Sequence, residues 1–227
     1  QGNRGRCGVR TGRGPGSVVG LGGGGGGARL AHRLAQVLPA EALTVIVNTG
    51  DDFEHLGLHI SPDVDTVMYT LAGLANAETG WGLAGDSWTT MGAMERSGEA
   101  GWFRLGDLDL ATHIVRTDRL RRGARLTDVL LGLQRSLGLV ATILPMADAP
   151  VRTQVRVDEG WPDFQEYFVH RRQAPEVREV RFVGDATPAA AVLAARAAAE
   201  GTGLGPPHPH RPRRPDLPRR ARAPGGP

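Results

Sequence analysis

Five carboxylic acids lie in the nineteen residues from 48 to 66, directly after an apolar run that has the pattern of a buried strand. They are Asp51, Asp52, Glu54, Asp63 and Asp65. Carboxylates crowded past a strand end repel one another, so they need either full solvation or a function. The functions open to them are cation binding, hydroxyl binding and acid–base chemistry. A solvated polar loop is the alternative.

The last two acids stand on either side of Val64, just before a predicted helix. Side chains at i and i+2 share a face if this part of the chain is extended. Proteins usually hold Mg²⁺ with one or two carboxylates together with phosphate oxygens of the substrate. Capping of the helix is the alternative for Asp65, but it does not explain Asp51, Asp52 and Asp63 together.

Six consecutive glycines, residues 22–27, separate a predicted strand from a predicted helix. Glycines in this position let the backbone approach a phosphate, whose charge is met by free N–H groups at the helix start. Such a run matches the dinucleotide-binding pattern trivially, so a tight turn is the alternative. Asp51 follows the run at roughly the distance of a ribose-binding acid in nicotinamide-dependent enzymes. Spacing alone therefore allows an oxidoreductase.

A third motif covers residues 102–109, where Arg104 is followed by a glycine and two acids, Asp107 and Asp109. An arginine beside a turn could clamp a phosphate or a carboxylate. A surface salt bridge next to a helix start is the alternative. His113 lies one turn into the following helix, and a single histidine there is more often structural than catalytic.

The order strand, glycine loop, helix, strand indicates a βαβ unit and a parallel sheet. We therefore predict an α/β fold: a Rossmann-like parallel sheet with a mostly helical insertion. Apolar periodicity predicts strands at 17–21, 43–48, 140–144, 151–157 and 177–183, and helices at 28–38, 66–76, 88–95, 108–120, 126–137 and 188–200.

Composition divides the chain of 227 residues into three parts. We predict a disordered extension at 1–16, one domain at 17–200 and a disordered tail rich in proline and arginine at 201–227. All 27 basic residues are arginine and many lie at the two ends, so the pI of about 9.9 does not predict a nucleic-acid partner. The single cysteine, Cys7, and the lack of a long apolar run predict a cytoplasmic protein without a membrane partner.

Several long motifs in a fixed order resemble the 2-phospho-L-lactate transferase family of deazaflavin biosynthesis, from about Val18 to about Ala198. They are GGGGARL (24–30), LTVIVNTGDD (43–52), ISPDVDTVMYTLAGL (60–74), TGWG (79–82), WFRLGDLDLATHIVRT (102–117), ILPMADAPVRT (143–153) and FQEYFV (164–169).

The resemblance implies a Mg²⁺-dependent transfer. A phospholactyl or phosphoenolpyruvyl group passes from a guanosine-diphosphate-linked donor to a ribitol hydroxyl of the deazaflavin Fo, and GMP leaves. The product is a precursor of coenzyme F-420. Displacement at a diphosphate needs charge neutralisation and positioning, for which glycines, carboxylates and an arginine are suitable. The partners expected are therefore small molecules, and a homodimer is an option that we keep open.

Roles are carried over residue by residue. Asp65 and Arg104 match the family's Fo-binding positions, and Asp65 is also the candidate that orients or deprotonates the attacking hydroxyl. Asp51 and Asp63 are the candidates for the metal, with Asp52 as the rival. The donor's nucleotide or phosphates are assigned to Gly23, Gly24, Gly26, Gly27 and Thr49.

The sequence departs from the family in two places. The family's glycine loop usually contains a threonine, and family members continue beyond the Ala-rich helix with a strand and a Ser-Asn-Pro loop. We therefore expect a truncated or frameshifted member, in which activity can be lost. The alternative function is a nucleotide-sugar-binding regulatory protein of the same fold without catalysis.

Overall fold

The computed structural model describes residues 17–98 and 101–204. Its centre is a four-stranded parallel sheet in which the strands lie side by side in the order 142–145, 43–47, 18–22 and 201–204. In chain order the elements are β1 (Val18–Gly22), α1 (Gly24–Val37), a short 3-10 helix (Ala40–Ala42), β2 (Leu43–Val47), β3 (Phe53–His55), β4 (Leu58–Ile60), α2 (Pro62–Leu71), α3 (Thr89–Arg96), α4 (Asp107–Arg121), α5 (Leu126–Ser136), β5 (Thr142–Pro145), β6 (Val151–Arg156), a π-helix (Glu166–His170), β7 (Glu179–Gly184), α6 (Ala190–Ala198) and β8 (Gly201–Leu204).

The two faces of the sheet are covered by different helices. On β2, Val45 and Val47 belong to a core shared with α1, α2 and α5, whereas Ile46 belongs to a second core with residues around α6. This alternation follows from the period of two in a strand. The predicted α/β class with a parallel sheet is confirmed, and α2 to α5 form the mostly helical insertion between β2 and β5.

Most of the glycine run belongs to a helix and not to a loop. The sequence predicted the helix from residue 28, but α1 begins at Gly24, which adopts a φ of 53° that favours glycine. A Cβ on Gly27 would lie 2.8 Å from the carbonyl carbon of Gly22. The last glycine of the run thus lets the helix pack closely on the end of β1.

The acidic stretch folds into a hairpin followed by a helix, whereas the sequence predicted neither strand nor helix between residues 48 and 66. Strands β3 and β4 pair antiparallel, and both Leu56 and Gly57 have positive φ at their turn. Helix α2 then begins at Pro62, four residues before the predicted start, because proline is well tolerated in the first turn. Asp63 and Asp65 therefore lie within the first turn of α2, and Ser61 is the residue at its N-cap.

The prediction of no packed structure from residue 201 is wrong for residues 201–204. These residues form β8, which pairs in parallel with β1 from Val18 to Leu21. The composition of this segment was misleading, because backbone hydrogen bonds to a neighbouring strand can hold a glycine-rich strand that has few apolar side chains. The predictions for 1–16 and for the rest of the tail lie outside the described residues. Within the described ranges, no helix is long and apolar enough to cross a membrane.

Candidate functional site

A cleft of about 610 Å³ opens where the first turns of α1 and α2 face helix α4. The start of α1 contributes to its lining, and so do aromatic side chains from the insertion. Its lining residues are Gly24, Gly25, Gly26, Arg29, Ile60, Pro62, Asp63, Asp65, Thr66, Tyr69, Thr79, Gly80, Trp81, Gly82, Trp102, Phe103, Arg104, Asp109, His113, Gln165, Phe168 and Val169.

We call one end of the site the glycine corner: residues 23–27 with Asn48, Asp51 and Asp63. Asn48 Nδ2 donates to Asp51 Oδ2 at 3.3 Å and to Asp63 Oδ2 at 3.1 Å. Asn48 Oδ1 accepts from the backbone N–H of Gly50 at 2.9 Å, which fixes the amide. One neutral side chain therefore links two predicted metal ligands that are distant in sequence.

Electrostatics in the glycine corner favours a cation. Burial, together with the negative charge of Asp63, raises the pKa of Asp51 to about 7. A divalent cation would relieve this repulsion, and a carboxylate pair beside a phosphate site is a usual arrangement for Mg²⁺. Asp51 and Asp63 thus fit the metal that the sequence analysis predicted.

The same corner suits an anion at the start of α1. The first N–H groups of a helix have no partners within the helix, and the helix dipole adds positive charge there. No acid occupies the first turn of α1, and Gly24, Gly25 and Gly26 line the cleft. A Cβ on Gly23 would lie 2.1 Å from Asp63 Oδ2. The glycines therefore allow the helix start and the carboxylate to lie side by side.

The lining of the cleft does not include five of the predicted residues: Gly23, Gly27, Thr49, Asp51 and Asp52. Asp52 is buried, and its Oδ2 accepts a hydrogen bond from Ser61 Oγ at 2.8 Å. The same oxygen is hydrogen-bonded to His59 Nε2 at 3.1 Å. It therefore joins the hairpin to the start of α2 and does not share the hydrogen bonds of the Asn48-linked pair. Thr49 is also buried, and Gly27 packs against β1.

We call the second end the arginine corner: Asp65, Tyr69, Asp109, His113 and Arg116. Arg116 is fully buried at 0% exposure, and both terminal nitrogens of its guanidinium contact Asp65, with Nη1 3.1 Å from Oδ2. Burial disfavours the charge of Arg116, but the Asp65 carboxylate raises its pKa above the usual value. The guanidinium therefore stays charged in the interior.

A chain of close polar contacts continues from Arg116 to a second buried carboxylate. Nη1 of Arg116 lies 3.2 Å from His113 Nδ1. Because a guanidinium only donates, Nδ1 accepts and the proton of a neutral His113 sits on Nε2, which lies 3.3 Å from Asp109 Oδ1. The hydroxyl of Tyr69 donates to the same oxygen at 2.7 Å. Burial works to raise the pKa of Asp109, but His113 and Tyr69 lower it below its usual value.

A third feature, the aromatic mouth, consists of Trp81, Trp88 and Arg104. The Arg104 guanidinium lies 5.0 Å from the ring centre of Trp88, and the two indole rings meet edge to face with their centres 5.8 Å apart. Phe103 and Phe168 extend the apolar wall into the cleft. A planar ring system with a polar edge would be held by stacking and by the arginine.

The two acids of the third sequence motif have separate roles. Asp107 accepts from the N–H groups of Thr89 and Thr90 at 3.0 and 2.9 Å, and so caps α3. These hydrogen bonds, with one from Ser87, lower the pKa of Asp107. Only Asp109 faces the cleft.

Sequence reasoning missed Asn48, Tyr69 and Arg116, and it assigned His113 to structure. For Arg116 and His113, a helical pattern could have indicated the role. Asp109, His113 and Arg116 stand at i, i+4 and i+7 on α4, so they share one face, and that face is buried. Three polar residues on a buried face indicate a paired network.

Comparisons with known proteins place the chain in one family. The profile of the family described as 2-phospho-L-lactate transferase CofD matches residues 18–209. A 2-phospho-L-lactate transferase of Methanospirillum hungatei is 42% identical over 191 residues, which are 83% of this chain and 64% of that protein. A phosphoenolpyruvate transferase of Kitasatospora aureofaciens is also 42% identical, over 81% of this chain and 60% of that protein.

The chain thus spans less than two thirds of the length of these relatives. Among solved structures, a member of the upf0052 family from Bacillus halodurans superposes with a TM-score of 0.53 and 15% identity. The match covers 85% of this chain and 59% of that one. A likeness at this identity concerns the fold alone.

Proposed function

The chain belongs to the 2-phospho-L-lactate transferase CofD family, and from this premise we propose that it transfers a phospholactyl or phosphoenolpyruvyl group to the deazaflavin Fo. The donor is a guanosine-diphosphate-linked molecule, and GMP is the leaving group. The observation that carries the proposal is that one cleft is lined by the glycine-rich start of α1, by Asp63 of the Asn48-linked carboxylate pair, and by Trp81 and Arg104 of the aromatic mouth.

The donor lies in the glycine corner. Its diphosphate meets the N–H groups at the start of α1, and its charge is also near Arg29, one turn along the same helix. Asp51 and Asp63 would hold Mg²⁺ there, which neutralises charge on the diphosphate when it is bound. Asn48 keeps the two carboxylates in place through its amide hydrogens.

The acceptor lies between the aromatic mouth and the arginine corner. The deazaflavin ring stacks on the aromatic wall near Arg104, and its ribitol chain reaches Asp65. The terminal hydroxyl oxygen attacks the donor phosphorus that carries the transferred group. A new O–P bond forms, the diphosphate P–O bond breaks, its electron pair leaves with GMP, and the hydroxyl proton is released. Asp65 accepts the hydrogen bond of that hydroxyl and orients it.

A fluorescence titration of Fo into the purified chain tests the acceptor half of this proposal. We expect saturable binding in the presence of Mg²⁺ and phosphate. Asp65→Asn and Arg104→Ala should each weaken it by roughly 10- to 100-fold, the size expected for a lost hydrogen bond to a charged group. Arg33→Ala, an exposed arginine on α1, is the control and should bind as the wild type does.

Two results would favour a different function. A folded chain that binds a uridine-diphosphate sugar but not Fo would favour the nucleotide-sugar-binding regulator. A fluorescence change on titration with NADH, without Fo binding, would favour an oxidoreductase. The cytoplasmic location, the option of a homodimer and the lack of a nucleic-acid or membrane partner stay predictions.

A further inference from the structure

The arginine corner contains a charged residue that the transfer reaction described above does not use. We propose that Arg116 is a positioning residue: its guanidinium is the fixed counter-ion of the arginine corner and holds Asp65 as a hydrogen-bond acceptor for the substrate hydroxyl. It thereby keeps divalent cations out of that corner. The part that concerns the hydroxyl rests on the proposed function, whereas the part that concerns cations does not.

The geometry of the ion pair determines how Asp65 can act. Two terminal nitrogens of a planar guanidinium contact the two oxygens of the carboxylate, which fixes the carboxylate plane. Each carboxylate oxygen has two lone pairs, so the pair with Arg116 leaves lone pairs for a further donor. Asp65 lines the cleft, and Arg116 lies behind it, completely buried. The available donor positions are therefore on the cleft side.

The arginine corner without Arg116 would have the composition of a metal site. One ligand atom from each of Asp65, Asp109 and His113 lies within 4.8 Å of the other two. Two carboxylates and an imidazole are common ligands of divalent transition metals. With Arg116 present, a guanidinium contacts Asp65 and lies 3.2 Å from His113 Nδ1, so a metal ion would be placed against a buried positive charge. The protein has therefore filled this site with its own cation.

Lysine would not replace Arg116 in this role. An ammonium group is a point charge with no planar fork, so it can neutralise Asp65 but cannot fix both oxygens. The substitution Arg116→Lys thus separates charge from orientation, and Arg116→Met removes both with little change in volume. Arg119→Met is the matched control, because Arg119 is on the same helix but exposed.

The first experiment titrates Co²⁺ and follows its visible absorption. Arg116→Met should gain a Co²⁺ site that the wild type, Arg119→Met and Arg116→Lys lack, and the added His113→Ala should abolish the gain. An Arg116→Met chain that is folded by circular dichroism and binds no more Co²⁺ than the wild type would overturn the counter-ion role. If Arg116→Met does not fold, Arg116→Lys decides, because a Co²⁺ gain with the positive charge retained would equally overturn it.

The second experiment tests whether Arg116 orients Asp65, by titrating Fo and GDP into the Arg116→Lys variant. We expect about 10- to 100-fold weaker Fo binding, typical for the loss of a group that orients a ligand-binding side chain. The GDP affinity should stay within about twofold, since Arg116 is not in the glycine corner. In an Asp65→Asn background the same substitution should cause no further loss of Fo affinity. Equal losses for both ligands, or a full further loss without Asp65, would mean that Arg116 only supports the fold.

The two experiments separate the failure of this inference from that of the proposed function. If the wild type binds no Fo, the proposed acceptor is wrong, and the Co²⁺ titration still decides whether Arg116 is the resident cation. If the wild type binds Fo and Arg116→Lys binds it equally well, the acceptor stands and the positioning role is wrong.

Discussion

The glycine corner and the arginine corner both gather acidic side chains on the same cleft, but they compensate the negative charge in opposite ways. In the glycine corner a neutral amide, Asn48, links Asp51 and Asp63, and burial with mutual repulsion raises the pKa of Asp51 to about 7. In the arginine corner a buried guanidinium pairs with Asp65.

This difference indicates where an external cation belongs. Two carboxylates that are linked by a neutral amide and repel each other attract a cation, whereas a corner that contains its own guanidinium repels one. The two corners also differ in what they offer a substrate. On the proposed function, the first would offer a diphosphate the N–H groups of a helix start together with a cation, and the second would offer a hydroxyl a fixed hydrogen-bond acceptor.

The largest expected effect comes from the arginine corner. Arg116→Ala leaves a buried carboxylate without its partner, and such a loss lowers the free energy of unfolding by about 3–5 kcal/mol. The control Arg122→Ala breaks only the exposed pair with Asp118, which contributes about 0–1 kcal/mol. Urea denaturation followed by circular dichroism measures both. Equal, small losses would show that the Asp65–Arg116 pair is not a buried ion pair in solution.

The next effect concerns the catalysis that we propose for the glycine corner. Asp63→Asn should reduce the rate of GMP formation by at least about 100-fold, since it removes a cation ligand. This corresponds to about 2.7 kcal/mol in the activation free energy. Asp128→Asn, an exposed aspartate paired with Arg125, is the control and should retain the wild-type rate. A fully active Asp63→Asn chain would contradict the assignment of the metal.

Whether a feature of the two corners could be predicted from the sequence depends on how far apart in the chain its interacting residues lie. The βαβ unit and α5 were predicted because apolar periodicity is local. The Asp65–Arg116 pair joins residues 51 positions apart, and no local pattern reports such a pair. Strand β8 was missed for the same reason, since its partner β1 lies at the other end of the domain.

The site itself was predicted in part. The motifs placed Asp63, Asp65 and Arg104, and the structure brings all three to one cleft. Asp52 was a rival metal ligand by proximity in sequence, but its hydrogen bonds to Ser61 and His59 depend on a hairpin that the sequence did not reveal.

A smaller effect distinguishes two neighbouring glycines. In Gly23→Ala the new Cβ would lie 2.1 Å from Asp63 Oδ2, so the carboxylate must shift and Mg²⁺ affinity should fall about tenfold, or about 1.4 kcal/mol. In Gly25→Ala the nearest atom is Arg29 Nη1 at 3.9 Å, so affinity should be unchanged. The Mg²⁺ dependence of Tm measures both. Equal Mg²⁺ affinity in the two variants would mean that the position of the Asp63 carboxylate does not affect cation binding.

The last effect is a pH dependence of stability without divalent cations. The native pKa of Asp51, about 7, is above its unfolded value, so between these values the native chain holds a proton that the unfolded chain has lost. Asp51 therefore makes the chain more stable at pH 5.5 than at pH 8, and this contribution is lost as pH rises through 7. The difference in Tm between wild type and Asp51→Asn, scanned with EDTA, should show it. A pH-independent difference would argue against the burial and repulsion described for Asp51.

The central claim is that the cation belongs to the glycine corner and not to the arginine corner. Calorimetric titration of GDP, with Mg²⁺ and then with EDTA, tests it in the wild type, Asp63→Asn and Asp65→Asn. We predict that Mg²⁺ strengthens GDP binding in the wild type and in Asp65→Asn but not in Asp63→Asn. Mg²⁺ dependence that survives in Asp63→Asn and vanishes in Asp65→Asn, or a folded wild-type chain that binds no GDP, would contradict the claim.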